Sequence, residues 1–575
     1  MRNTCPLCGR EKPPDMNFCE YCQYTVCEFC KIRLARGYCA VCGRLVCNED
    51  SKMIGFARVC NECLQRDPRL KKYDYLKSFI RKKALELNAK RRKKIKLLNV
   101  LGNLNFMTQK YVYLHVGIDD ADSPYGMCTT YLGATLFEKL TELGDPMDYP
   151  LLVRLNPNIP MKTRGNAAIA LRFKIMADIL DTIKTVILET IEKLSHTFFH
   201  KTATGLAIYI TPDYAIDGVL YEIYLNALQD VLPLSILNRM SKKLKYGYLE
   251  LYGFNERWNG IIGSLSAIGA VFNDYTFELT AYRREENVRT KRKINPQTVI
   301  TMDKKFAAYT FGNIDDGRLL ISPVGPDPVL LGIRGDIPEK LVEAFKIVEH
   351  EPISLWCLFR TNQGTNAHIR RVEEPSEARP YQTILIEATV SRVRSVEGKV
   401  IVFASAKEWS IEATAYKIQK NLRNVISKLL PGDTVLIIGN VVERRDKLLK
   451  LNLEEILTIS LIPYMEERNP VCPYCGKRLK KKGKDIYLCK RCGIKFEYKH
   501  KLTLLYDRNG ISEKKRYEAV PKAQRHLTLP TKRLFYRAWK ISGIQPLSLI
   551  MPLVGHDKNI LVTRRKPVIK LKIIR

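Results

Sequence analysis

Paired cysteines constrain this chain more than any other feature. Of its 17 cysteines, 15 fall in two clusters, and most of these stand in Cys-x-x-Cys pairs. The N-terminus opens on such pairs, with no charged region leading into an apolar stretch. Pairs of this kind without a secretion signal mean zinc in a reducing cytoplasm rather than disulfides. Cys472, Cys475, Cys489 and Cys492 sit at the separation that completes one tetrahedral site, and a glycine follows each pair to allow the tight turn. Four thiolates leave no open position, so this zinc ribbon is structural. Cys5, Cys8, Cys19 and Cys22 repeat the pattern. Cys27–Cys30, Cys39–Cys42, Cys47–Asp50 and Cys60–Cys63 then give four more pairs, enough for two zinc ions. Asp50 stands where a cysteine is expected, and a carboxylate can serve as a zinc ligand.

The rest of the chain must pack around these modules. Hydrophobic content of 46% supports true cores. The 575 residues suffice for about three to five domains. No apolar run reaches the roughly 18 residues of a membrane span. Lys and Arg number 95 against 60 Asp and Glu, a net charge of +35. On a folded chain that excess points to a polyanionic partner such as RNA.

Composition divides the chain. Residues 1–26 form a zinc ribbon and 27–63 a cross-braced finger. Residues 64–110 carry 15 basic against 3 acidic residues and read as a basic, mostly helical linker. Over 111–370, strands and helices alternate as in an α/β or α+β catalytic core. Residues 381–462 hold short strands, with a helix expected over 417–430 before the fourth, which suits an OB-type barrel. Residues 470–497 are the second zinc ribbon. The tail, 498–575, has 19 basic against 4 acidic residues, with Tyr506, Tyr517, Phe535, Tyr536 and Trp539 interleaved. Basic and aromatic residues together suit a nucleic-acid backbone and stacked bases.

The most reactive pattern closes the strand Tyr111–Val116. Asp119, Asp120 and Asp122 place three carboxylates within four residues. They repel one another unless a cation lies among them, and hard oxygen ligands suit magnesium, hence nucleotide phosphate. Strand alternation would put Asp120 and Asp122 on one side and Asp119 on the other, unless the backbone turns. A solvated acidic turn is the bland alternative. Gly126, then Thr129 and Thr130 at the start of a helix, could cradle phosphate, though this is no Walker loop.

Gly117-Ile-Asp-Asp-Ala-Asp-Ser-Pro-Tyr-Gly-Met-Cys-Thr-Thr130 closely resembles the opening motif of the archaeal tRNA-isoleucine 2-agmatinylcytidine synthetase (TiaS) family. The blocks Arg154–Asn166, Tyr275–Arg284, Pro328–Gly335, Thr361–His368 and Arg525–Thr528 follow in the family's order. The resemblance implies a kinase-like domain, a ferredoxin-like domain, an OB fold and a zinc ribbon. It implies that ATP activates the wobble cytidine of an isoleucine tRNA with a CAU anticodon through a phosphorylated base. Agmatine then displaces the phosphate. Asp119, Asp120 and Asp122 match the magnesium and phosphate-handling acids, and Thr129 the phosphorylatable threonine. Thr130, Lys162, Arg164, Asn166 and Arg334 fall in blocks expected to bind ATP or RNA. Ala121, Asn259 and Asn366 depart from the family's residues. Residues 1–106 are additional, with Met107 standing where an ordinary member would start.

The four middle cysteine pairs resemble FYVE-type fingers. That resemblance implies one site from Cys27, Cys30, Cys47 and Asp50 and another from Cys39, Cys42, Cys60 and Cys63. The basic cluster such fingers use for lipid is missing from Ala35-Arg-Gly-Tyr38, so a protein or RNA partner is expected for the N-terminal fingers. The competing reading of the whole chain is a zinc-rich RNA-binding protein without ligase activity.

Overall fold

The computed structural model describes residues 4–534 except 6, 12–18, 20, 22–24, 56, 90–95, 103–104, 123–125, 163–164, 196–203, 254–258, 289, 499–501, 507 and 509, together with 554–555 and 572–574. Cys22, Arg164, Phe535, Tyr536 and Trp539 therefore lie outside the described residues.

A mixed 12-stranded sheet forms the centre. Its main path runs Thr310–Phe311, Val329–Gly335, Thr276–Arg283, Ile353–Thr361, Leu151–Arg154, Ala167–Met176, Tyr111–Asp119, Gly205–Thr211, Tyr248–Gly253 and Lys96–Gly102. Neighbours on this path are antiparallel except at one join. There Arg360 and Thr361 pair in parallel with Leu151 and Leu152, fusing an N-terminal and a C-terminal half into one sheet. Inner strands of a sheet covered on both faces need apolar residues on both sides. Tyr111–Asp119 meets that need on one face, while its other face carries Tyr113, His115, Gly117 and Asp119. Val112, Leu114, Val116 and Ile118 pack beneath helices Thr129–Thr141 and Leu180–Leu194. Helices Gly218–Gln229 and Asn259–Ile268 cover the opposite face. Gly117 permits the closest of these contacts: a Cβ there would overlap the Ser264 carbonyl.

The expected basic linker is helical over Tyr73–Ala89, but its end is a strand. Lys96–Gly102 adds an edge alongside Tyr248–Gly253. An extra residue in this pairing, at the Leu251/Tyr252 step, breaks the two-residue alternation. Leu98 and Leu101, three apart, therefore both pack against the core. That spacing mimics a helix in sequence.

The second core is a closed five-stranded barrel. Thr383–Val396, Lys399–Ala406, Trp409–Tyr416, Leu448–Ser460 and Thr434–Arg445 pair in that order, and Thr434–Arg445 returns to Thr383–Val396. The Trp409–Tyr416 and Leu448–Ser460 pair is parallel, and the others are antiparallel. Helix Lys420–Ile426 precedes Thr434–Arg445, inside the segment expected to be helical.

The chain beyond the barrel returns to both cores. Arg508 makes two hydrogen bonds, 2.6 and 2.9 Å, to the buried Asp433 carboxylate. Arg533 is buried and spends its guanidinium on Asp274 (2.7 Å twice), Asp336 (3.0 Å) and the carbonyls of Gly364 and Tyr275. Val554–Gly555 and Lys572–Ile574 add short strands beside Trp356–Cys357 and Ala215–Asp217. Among the described residues, no helix is long and apolar enough to cross a membrane.

Candidate active site

The acidic strand end does not follow simple alternation. Asp120 adopts a left-handed backbone, φ +52°, which Asp tolerates better than most residues. The Asp119 carboxylate accepts the Asp120 amide at 2.7 Å, and the Thr204 hydroxyl donates to the Asp120 carbonyl at 3.1 Å. This turn brings Asp119 and Asp120 to the same cleft. Asp119, Asp120 and Asp122 are all buried. Burial, reinforced by the charges of Asp120 and Asp122, pushes the Asp119 carboxyl well above the usual carboxylate range.

The acidic turn is tied to the helix that follows. Thr129, its first residue, accepts the Ala121 amide on Oγ1 at 3.2 Å. Thr130 is buried, its hydroxyl 3.0 Å from Cys128 Sγ. Both threonines thus occupy a helix N-terminus, where unpaired amides favour an anion.

A partly open cleft lies beside Asp119 and Asp120. Leu155, Ile159, Met161, Lys162 and Asn166 form one wall. Ala227 and Asp230, at the end of helix Gly218–Gln229, form a second, and Ile262 and Gly263 a third. Gly263 must lack a side chain here, because a Cβ would overlap the Asp119 carboxylate. Lys162 donates to the Ile159 carbonyl at 3.3 Å. Burial, then repulsion from Arg525, lowers its ammonium to about 7. Asn166, at φ +50°, closes the wall loop on itself: its side chain donates to the Asn156 carbonyl at 2.8 Å.

A second group of basic residues continues from Lys162. Repulsion from Arg154, burial, and repulsion from Arg334 and Arg525 hold His526 well below its ordinary value. Burial lowers Arg154 as well. Arg334 stands over the Phe311 ring and reaches the Gly312 carbonyl at 3.4 Å, so it belongs to this group and not to the wall of the acidic cleft. The structure thus unites Asp119, Asp120, Lys162 and Asn166, with Thr129 bound to the loop behind them. Asp230, Arg154 and His526 were not singled out from sequence. Arg154 and His526 lie within family-like blocks, whereas nothing local marks Asp230.

The cysteine groups assemble, the two interleaved ones as the resemblance to FYVE-type fingers implies. Ligand atoms lie within 4.8 Å of one another in each of four groups: Cys39, Cys42, Cys60 and Cys63; Cys472, Cys475, Cys489 and Cys492; Cys27, Cys30, Cys47 and Asp50; and Cys5, Cys8 and Cys19. Asp50 takes the position foreseen for it, 3.0 Å from Cys47 Sγ and 3.2 Å from Cys27 Sγ. Sulfur pairs stand 3.3 to 4.0 Å apart. A disulfide needs about 2.0 Å, whereas thiolates around one zinc lie roughly 3.8 Å apart. Among the described residues, Asp119, Asp120 and Asp122 do not close on one point in this way.

Comparison with known proteins places these features in a wider set. Residues 115–245 match the TiaS TCKD domain and residues 259–368 the TiaS FLD domain. The tRNA-isoleucine 2-agmatinylcytidine synthetase TiaS of Pyrococcus horikoshii is 38% identical over 421 residues, 72% of this chain and 96% of that protein. The crystal structure of apo TiaS superposes with TM-score 0.65 at 32% identity, covering 73% of this chain and 97% of that one. The crystal structure of TiaS in complex with an isoleucine tRNA, AMPCPP and agmatine gives TM-score 0.61 at 30% identity with the same coverage.

Proposed function

This chain belongs to the TiaS family, and from that premise we propose that it joins agmatine to the wobble cytidine of an isoleucine tRNA with a CAU anticodon, at the expense of ATP. One observation carries the reading: Asp119, Asp120 and Lys162 share a cleft, and Thr129 is bonded to the loop between the acids. A base carbonyl is a poor leaving group, and phosphorylation makes it a good one. Catalysis then depends on holding the triphosphate, the base and the amine in place while offsetting developing charge.

The residues divide that work. Lys162 offers a cation to phosphate from the wall opposite the acids. Arg154 and Arg334 extend the positive field beyond the cleft, where the RNA backbone and the departing phosphate carry charge, and they keep His526 between them neutral. The helix N-terminus places Thr129 and Thr130 where phosphate groups are favoured. Magnesium suits Asp119 and Asp120, because it is usually held by one or two carboxylates plus substrate phosphates and does not need a closed protein cage. When bound it would polarise the phosphate oxygens.

The five-stranded barrel has the strand order and the parallel pair of an OB fold, a common single-strand RNA binder, and we assign it to the tRNA. The cysteine groups suit zinc in structural roles. Cysteine groups suited to zinc and a tRNA substrate support a cytoplasmic setting.

The test is direct. The protein is incubated with ATP, agmatine and the tRNA transcript, and the wobble nucleoside is read by mass spectrometry. A gain equal to agmatine less water is expected. Tight tRNA binding with an unaltered nucleoside would leave an RNA-binding protein without ligase activity.

A further inference from the structure

The Pyrococcus horikoshii relative and the apo TiaS structure leave more than a quarter of this chain without a counterpart, and everything before residue 115 lies outside both family matches. The N-terminal cysteine module lies before both family matches, yet it is not detached. Arg10 is buried, and its guanidinium pairs with the Asp230 carboxylate, which lines the cleft beside Asp119 and Asp120. Arg36 donates to the Val442 carbonyl of the barrel at 2.9 Å, and the Tyr381 hydroxyl donates to the Ala35 carbonyl at 2.7 Å. Gly9 approaches Arg444 so closely that a Cβ would overlap the guanidinium.

Asp230 is the common partner of three bodies. Its amide continues helix Gly218–Gln229 by donating to the Asn226 carbonyl at 2.8 Å. Gln382, where the barrel begins, donates to Asp230 Oδ2 at 2.9 Å, and Arg379 lies 3.8 Å from the same oxygen. Arg10 supplies the third contact. The cysteine knuckle sets its position: the Arg10 carbonyl accepts the Cys5 amide at 2.7 Å, and its guanidinium rests 4.1 Å from the Tyr21 ring centre. Without Arg10, the Asp230 carboxylate would keep the neutral amides of Gln382 and Val231 and one distant arginine. In a cleft that already holds two other carboxylates, such a charge opposes a triphosphate.

We propose that Arg10 is a positioning residue of the active site: by fixing and neutralising Asp230 it makes the N-terminal metal-binding module a working wall of the ATP cleft. This rests on the ligase reading above.

The full-length chain is assayed with ATP, agmatine and tRNA. Arg10→Met should raise KM for ATP about tenfold, the scale of one uncompensated charge at intermediate dielectric. kcat should stay within about twofold, and Arg10→Lys should recover part of the loss. The double variant Arg10→Met/Asp230→Asn should lose clearly less than the product of the two single losses. An unchanged KM in Arg10→Met, or single losses that simply multiply, overturns the proposal. Hydrogen exchange over 226–231 and 379–382 gives a reading independent of turnover, and it should quicken in Arg10→Met with metal content retained. Exchange unchanged by the substitution also overturns it. A wild-type chain that forms no modified nucleoside would defeat the ligase reading instead, while the exchange result would still judge Arg10.

Discussion

ATP binding should weaken as the pH rises past 7, because Lys162 loses its proton there. Burial and the nearby Arg525 bring its ammonium from 10.5 to about 7. A bound triphosphate favours the charged form, so binding above pH 7 must draw in a proton. Each pH unit then costs about tenfold in affinity, or roughly 100-fold between pH 7 and 9, while the bound lysine stays protonated. Phosphate itself titrates near pH 6, below this window. Calorimetry of ATP binding in two buffers of different ionisation heat reads both the affinity and the proton uptake, which should approach one per ATP by pH 9. Lys162→Met should bind weakly and without the slope. Arg525→Met should move the bend to higher pH by relieving the repulsion. Stability carries the opposite sign. Between about 7 and 10.5 the unfolded lysine binds more protons than the folded one, so the folded chain gains stability as pH rises through that window. A dissociation constant that stays flat from pH 7 to 9, or a slope surviving in Lys162→Met, would refute the assignment of Lys162 to phosphate.

Asp120→Asn should cut ATP turnover by about 100-fold or more while tRNA binding persists, and rapid turnover in the variant would remove Asp120 from the chemistry. Elemental analysis of the purified chain should give four zinc ions, one for each cysteine group, and three in Asp50→Ala. Four ions retained by that variant would show Asp50 to be dispensable. Arg533→Met should destabilise the catalytic core by about 3–5 kcal/mol, since Asp274 and Asp336 would both lose a buried cationic partner. An unchanged denaturation midpoint would mean that the tail does not brace the core.

Much of this arrangement is legible in the sequence because it depends on short-range spacing. Spacing marks the cysteine pairs themselves, because two ligands three residues apart are a local signal, but the interleaving of Cys27 and Cys30 with Cys47 and Asp50 follows from the resemblance to FYVE-type fingers. Alternation marks four of the five barrel strands, and Leu448–Ser460 is the one it leaves unplaced. The acidic turn is half legible. Residue types mark it as a site, but the left-handed backbone at Asp120 that swings Asp119 and Asp120 to one cleft leaves no trace in alternation. The strand Lys96–Gly102 is hidden at the end of the basic linker for a related reason: a bulge in its pairing interrupts the strand period. Asp230 is illegible. Its importance comes from contacts with Arg10 and Gln382, 220 and 152 residues away, and no window along the chain brings such partners together.

The parallel pairing of Arg360–Thr361 with Leu151–Leu152 has a mechanical meaning. A chain that closes on its substrate by a hinge between halves needs a seam that can open. Here the seam is stitched by ladder hydrogen bonds, with Asn362 adding two more: its side-chain oxygen accepts the Arg154 amide at 2.8 Å, and its nitrogen donates to the Arg154 carbonyl at 2.9 Å. Parting the halves would break backbone pairing inside a buried sheet. The bed on which the reaction runs is therefore a single stiff plate. Any gripping or release of the tRNA falls to what is mounted on its rim, the barrel and the cysteine modules.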